Sequence, residues 1–118
     1  MTVVPRQRFG VADVRDVADA HIRAMTTPAA AGKRFLVLAD GPTITYLQLA
    51  RILRDRLGQL AERVPTEEAP GDELPDLVIH NDRARTELGW RPRPAETTIV
   101  ETAESLRDLG LLAAPSQG

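Results

Sequence analysis

No helix can run through Leu88-Gly89-Trp90-Arg91-Pro92-Arg93-Pro94. Glycine favours a helix end, and each proline lacks the N–H that a helix interior needs. The chain must therefore close a helix near Leu88, turn around its only tryptophan and start again after Pro94. A second break lies upstream. Pro65, Pro70 and Pro75 fall among Glu67, Glu68, Asp72, Glu73 and Asp76. Three prolines in that space preclude a long helix, so residues 59–76 are expected to form an irregular loop with a brief strand near Val64. Only short regular segments fit between these breaks.

The first of them spans residues 11–27. Val14, Val17, Ala18, His21, Ile22 and Met25 recur at the spacing of one helix face, which is expected to point inward. Asp13 is placed to cap this helix, Asp16 complements its dipole, and Pro28 marks the exit. Thr45 to Leu57 carries a broad apolar face in Leu47, Leu49, Ala50, Ile52, Leu53 and Leu57; Thr43 or Thr45 caps it and Gly58 ends it. Asn81 or Asp82 caps a short helix to Leu88. Glu96 to Leu109 is the last helix, with Ile99, Ala103, Leu106 and Leu109 inward and Gly110 as its stop.

Arg34 to Ala39 is a short apolar run flanked by glycines, which favours a buried strand, and Leu77-Val78-Ile79 is a second extended run. Mixed α/β structure follows, with too few strands for an independent doubly wound sheet. A chain of 118 residues supports one domain, expected over 1–118, with loose ends at 1–10 and 113–118. Aromatics are 3% of the chain, so Leu, Val, Ile and Ala must build the core.

Composition excludes several classes of function. A net charge of −2 gives no electrostatic case for nucleic acid or an anionic membrane. There is no cysteine, hence no disulfide or thiolate chemistry. No apolar run is long enough to span a bilayer, residues 1–10 lack the core of a secretory signal, and a cytoplasmic location is expected.

Catalytic signatures are equally sparse. A dinucleotide cradle needs a glycine-rich turn between strand and helix, and the eight glycines here are dispersed. A Tyr-x-x-x-Lys pair puts phenol and ammonium on one helix face. The only tyrosine, Tyr46, is followed four residues on by Ala50, and the only lysine, Lys33, lies upstream. His21 and His80 stand far apart, so no metal site is expected, and a Ser/His/Asp triad is implausible with serines only at Ser105 and Ser116. No catalytic, cofactor-binding or metal-ligating residue is assigned.

Three segments in order carry a family resemblance. Val11-Ala12-Asp13-Val14-Arg15-Asp16-Val17-Ala18-Asp19-Ala20-His21 comes first. Arg34-Phe35-Leu36-Val37, Gly41 and Thr45-Tyr46-Leu47-Gln48-Leu49-Ala50 follow, and Leu88-Gly89-Trp90-Arg91-Pro92 with a final helix closes the set. Together they resemble the C-terminal portion of extended short-chain dehydrogenases/reductases, the NAD(P)-dependent epimerases, dehydratases and dihydroflavonol-reductase-like enzymes. The resemblance implies a small mixed helix-strand lobe, without the Rossmann domain, the NAD or NADP cofactor or the Tyr/Lys pair of that family. Met1 would then be an internal start or the beginning of a truncated gene product.

As a substrate-binding portion the chain would not be catalytic alone, and its ligand would be a small carbonyl or hydroxyl compound. The resemblance places Phe9, Gly10, Asp13 and Arg15 on the cleft side, and Gly71 and Asp72 in a loop that in nucleotide-sugar epimerases resembles R-x-G-D. Here Ala69 replaces the arginine, and Glu67 and Glu68 would repel a diphosphate, so a less charged substrate fits better. An exposed Rossmann-facing surface would invite self-association. Two other classes remain open: a stand-alone small-molecule-binding or scaffold module, and a helix-turn-helix DNA binder. The latter needs a recognition helix soon after Leu57, where the proline-broken acidic stretch lies.

Overall fold

The structure is a computed structural model, and it describes residues 3–112. It is a small mixed helix-strand architecture of four helices and one two-stranded sheet. In chain order these are β1 (Arg8–Phe9), α1 (Val14–Thr26), β2 (Ile44–Thr45), α2 (Tyr46–Leu57), α3 (Asp82–Leu88) and α4 (Ala95–Asp108), with 3-10 turns at Pro28–Ala30 and Gly58–Ala61. The chain divides into two compact units, and each is described by itself. One comprises Met1–Phe9, Ile44–Pro75 and Glu96–Gly118; the other comprises Gly10–Thr43 and Asp76–Ala95. Of the chain ends expected to be loose, residues 1–2 and 113–118 lie outside the described residues.

In the first unit β1 pairs antiparallel with β2, Arg8 opposite Thr45 and Phe9 opposite Ile44. Val4 is buried and bridges the loop at Glu68, its N–H donating to Glu67 O at 2.9 Å and its C=O accepting from Ala69 N at 2.8 Å. Thr45, one of the two threonines offered as the cap, starts α2 in a full capping box: its hydroxyl accepts from Gln48 N at 3.0 Å, and Gln48 Oε1 accepts from Thr45 N at 2.8 Å. Gly58 ends α2 with φ 52°, and Arg54 reaches Val64 O at 3.0 Å, tying down the proline-broken loop. The brief strand expected near Val64 is not formed; a 3-10 turn stands just before it. On α4, Thr98, Ile99 and Val100 are buried, but Leu106 and Leu109 are exposed rather than inward. The second half of this helix has little to bury against among the described residues.

The second unit holds the hydrophobic cluster of Ala20, Ala30, Ala84, Leu88 and Trp90, with Ala24, Phe35 and Val37 packed on it. Asp13 caps α1, as its position in the sequence requires. The face that α1 buries differs from expectation. Val14 is 79% exposed, Ile22 60% and Met25 83%, while Asp16 and Ala20 are buried. Two effects turn the helix this way. Ala20 and Ala24 are small enough to admit the Trp90 indole closely, and Trp90 Nε1 donates to Asp16 O at 2.8 Å. A fully buried tryptophan must place its N–H on an acceptor, and that requirement outweighs the apolar periodicity.

Residues 34–39 form no strand, because no ladder partner is present among the described residues. Ala39 N donates to Val11 O at 2.8 Å, and side chains of α3 take the carbonyls of Arg34 and Leu38. The run Leu77–Ile79 is reduced to one isolated bridge, Pro42 with Val78. Asn81 is the N-cap of α3, but its amide is spent on Leu38 O and Asp40 Oδ1, both at 2.8 Å. Gly89 closes α3 in the left-handed region at φ 66°.

Candidate functional site

The residues expected to contact a ligand fall in both units. In the second unit, Asp13 is buried at the start of α1. Its Oδ1 accepts from Arg15 N and Arg15 Nε, each at 2.9 Å, and its Oδ2 from Arg15 Nη2 at 2.7 Å. The carboxylate therefore caps the helix and grips the guanidinium in a forked pair. Asp19, four residues on from Arg15, accepts from Arg23 Nε at 2.8 Å. Gly10 lies against Leu38, whose Cδ2 would stand 3.1 Å from a Cβ there, so any side chain at this position would require the Leu38 side chain to give way slightly.

Arg15 also lines an open polar hollow of about 390 Å³ with Asp16, Asp19, Arg91, Pro92 and Arg93. Asp16 is the anchor of this region. It accepts from Arg93 N at 2.8 Å and from the Arg93 guanidinium, while its own carbonyl holds Trp90. Sequence reasoning gave Asp16 only a dipole role; the distance of 77 residues to Arg93 left no local signal for the pair. A second, apolar hollow of about 160 Å³ is lined by Ala20, His21, Ala24, Phe35, Val37 and Leu88. His21 Nδ1 lies 2.7 Å from Val17 O, within its own helix.

Two carboxylates of this unit titrate below their ordinary range. The Arg85 guanidinium hydrogen-bonded to Asp40, helped by the Asn81 amide, holds the Asp40 carboxyl down. The Lys33 ammonium does the same for Glu87.

In the first unit, Phe9 stands against Tyr46 with ring centroids 4.9 Å apart and planes tilted by 40°. This joins two of the chain's few aromatics at the β1–β2 pair. Gly71 meets Arg6, whose Cδ would lie 3.0 Å from a Cβ on the glycine. Arg6 donates from Nε to Ala69 O at 2.9 Å, and its Nη1 pairs with Glu68 at 3.0 Å. An arginine thus stands at this loop although position 69 has none. Arg6 comes from 63 residues away, a separation over which the sequence carries no local signal. Asp72 is exposed.

Among the described residues no group of His, Cys, Asp and Glu is arranged to hold a metal ion, and no helix is long and apolar enough to cross a membrane. The four helices follow Asp13, Thr45, Asn81 and Pro94. Among the described residues none of these helices follows a glycine-rich turn of the kind that lets backbone approach a pyrophosphate.

No family model matches the chain. Individual proteins do. It is 32% identical over 100 residues to the ketoreductase azaE of Aspergillus niger, covering 83% of this chain and 29% of that protein. It is 35% identical over 107 residues to a cinnamoyl-CoA reductase of Medicago truncatula, 88% of this chain and 30% of that one. A UDP-glucose 4-epimerase of Corynebacterium glutamicum matches at 32% over 94 residues. Among solved structures, Gre2 from Candida albicans superposes with a TM-score of 0.75 at 28% identity, covering 91% of this chain and 32% of that one. The same protein in complex with NADPH gives 0.73. The chain therefore spans under a third of the length of these relatives.

Proposed function

We propose, on the premise that this chain is a homologue of the C-terminal part of NAD(P)-dependent reductases and epimerases of the short-chain dehydrogenase/reductase family, that it is the substrate-binding portion of such an enzyme and is not catalytic alone. The observation that carries this reading is the superposition of 91% of the chain on only 32% of a reductase. The missing Tyr-x-x-x-Lys pair and glycine turn agree with it. In a full-length relative, hydride chemistry would come from NAD or NADP held elsewhere. The residues here would position a small carbonyl or hydroxyl compound: Phe9, Gly10, Asp13, Arg15, Gly71 and Asp72.

The substrate class follows from charge. Arg6 is already engaged by Glu68 and Ala69 O beside Gly71, and Glu67 adds a further negative charge. A diphosphate would have to displace that pair and approach two carboxylates. A neutral ketone or alcohol meets no such barrier. Apart from its ligand, the apolar face of α1 would be covered by the rest of such an enzyme, or by self-association when that is missing.

The test is an NMR titration of isotope-labelled chain with neutral aryl and alkyl ketones and their alcohols, alongside an NADPH-oxidation assay. Saturable shifts at the amides of Phe9, Gly10, Asp13, Arg15, Gly71 or Asp72, without NADPH consumption, are expected. Turnover by the purified chain, or shifts confined to other residues, would overturn the reading.

A further inference from the structure

Arg91-Pro92-Arg93-Pro94 presents two guanidinium groups from a stiff segment. A residue before proline is held to extended backbone, which restricts Arg91 and Arg93 alike and leaves little freedom to lose on binding. Alternate residues of an extended segment share a side. Both arginines line the polar hollow of about 390 Å³ in the second unit, together with Arg15, Asp16 and Asp19. Buried carboxylates orient two of these three guanidinium groups. Asp13 grips Arg15 through Nε and Nη2. Both oxygens of Asp16 are taken by Arg93, one by its backbone N–H and one by Nη1. Asp19 is matched by Arg23. Each aspartate around the hollow thus has its own arginine. Arg91 is the charge left over: among the described residues it makes no hydrogen bond or ion pair, and the Arg93 side chain is engaged through Nη1 alone.

We propose that this hollow binds a phosphoryl group, free or as a monoester, held by Arg91 and Arg93 with Arg15 at its side. A phosphoryl group offers three acceptor oxygens and a charge of about −1.5 to −2 near neutral pH, more of both than a carboxylate. The guanidinium matches it, being planar, always charged and forked in its donors. Because the Asp16 oxygens are already occupied, an anion entering here meets donors rather than bare carboxylate. The hollow is open, which leaves room for the group that an ester carries. The site uses none of the residues around Gly71, where carboxylates disfavour a diphosphate, so it stands apart from the substrate reading; Arg15 alone is common to both.

The experiment titrates the isotope-labelled chain with inorganic phosphate, glycerol 3-phosphate and acetate, with sodium chloride holding the ionic strength constant. Arginine Nε–H and backbone amide resonances are followed. Saturable shifts at Arg91 and Arg93 are expected with phosphate, and weaker binding with acetate. Equal or tighter binding of glycerol 3-phosphate assigns the site to phosphate esters, and a preference for inorganic phosphate assigns it to the free anion. Arg91→Gln is expected to raise the Kd of the tighter ligand at least about tenfold, with Trp90 fluorescence unchanged. Arg51→Gln removes the same charge from an exposed position on α2 and is expected to leave that Kd as it was. Shifts that grow without saturating, acetate binding as tightly as phosphate, an Arg91→Gln chain that binds like the wild type, or equal losses in both variants would overturn the site. The ketone titration contains no anion and judges the substrate reading separately.

Discussion

Asp16 sits in the first turn of α1, where a carboxylate ordinarily does no more than complement the helix dipole. Here it is buried, accepts from the Arg93 backbone and guanidinium, and offers its carbonyl to Trp90. Asp16→Ala removes the acceptor for two charge-assisted or buried donors at once. A loss of about 2–4 kcal/mol is expected in urea denaturation, read by Trp90 fluorescence. Asp40 and Glu87 behave differently, because both are largely exposed. Their folded pKa values lie below the ordinary 3.8 and 4.5. Such groups stabilise the fold above their unfolded pKa and lose that contribution as pH falls through the lower folded value. The melting temperature should therefore fall on acidification below about pH 4.5, more gently in Asp40→Asn, and with added salt flattening the effect. A Tm profile of the wild type that is flat across this range would contradict the two ion pairs.

At the scale of elements, what is local in sequence was legible. Thr45 and Gln48 lie three residues apart and need nothing else to cap α2. Thr45→Ala should cost about 1 kcal/mol in thermal or chemical denaturation, and Thr45→Ser should recover most of it. Asp13 was legible for the same reason. The buried face of α1 was not, because the apolar period names a stripe but not its partner. With Val14, Ile22 and Met25 exposed, Met25→Gln should change stability by no more than about 0.5 kcal/mol. Ala20→Leu, against Trp90, should cost about 1–3 kcal/mol by overpacking. Had α1 buried the expected face, the two substitutions would rank the other way. Residues 34–39 have the composition of a strand. A strand also requires a neighbour, and composition carries no information about whether one is present.

At the scale of the whole molecule, the chain spans under a third of the length of the relatives it matches, and the residues proposed to contact a ligand are distributed over both units. Phe9, Gly71 and Asp72 belong to one unit; Gly10, Asp13 and Arg15 to the other. Ligand binding should raise the melting temperature by mass action. A neutral ketone at a hundredfold excess over its Kd would add about 2.7 kcal/mol, and the rise should grow with concentration. A melting temperature that ignores saturating ketone would argue against a substrate site.

The sequence by itself determined the helix ends, because caps, glycines and prolines act on their own few neighbours: Asp13, Thr45, Gly58, Gly89 and Pro94 each did so. It also determined the family resemblance and the absence of the Tyr-x-x-x-Lys pair, since both are matters of residue order. Only the tertiary structure decided which face of α1 is buried, that Asp16 clamps Trp90 and Arg93, and that Arg6 stands at Gly71. Those outcomes depend on which buried donors find acceptors and which small residues admit a large one, across separations of more than 60 residues that no local pattern encodes.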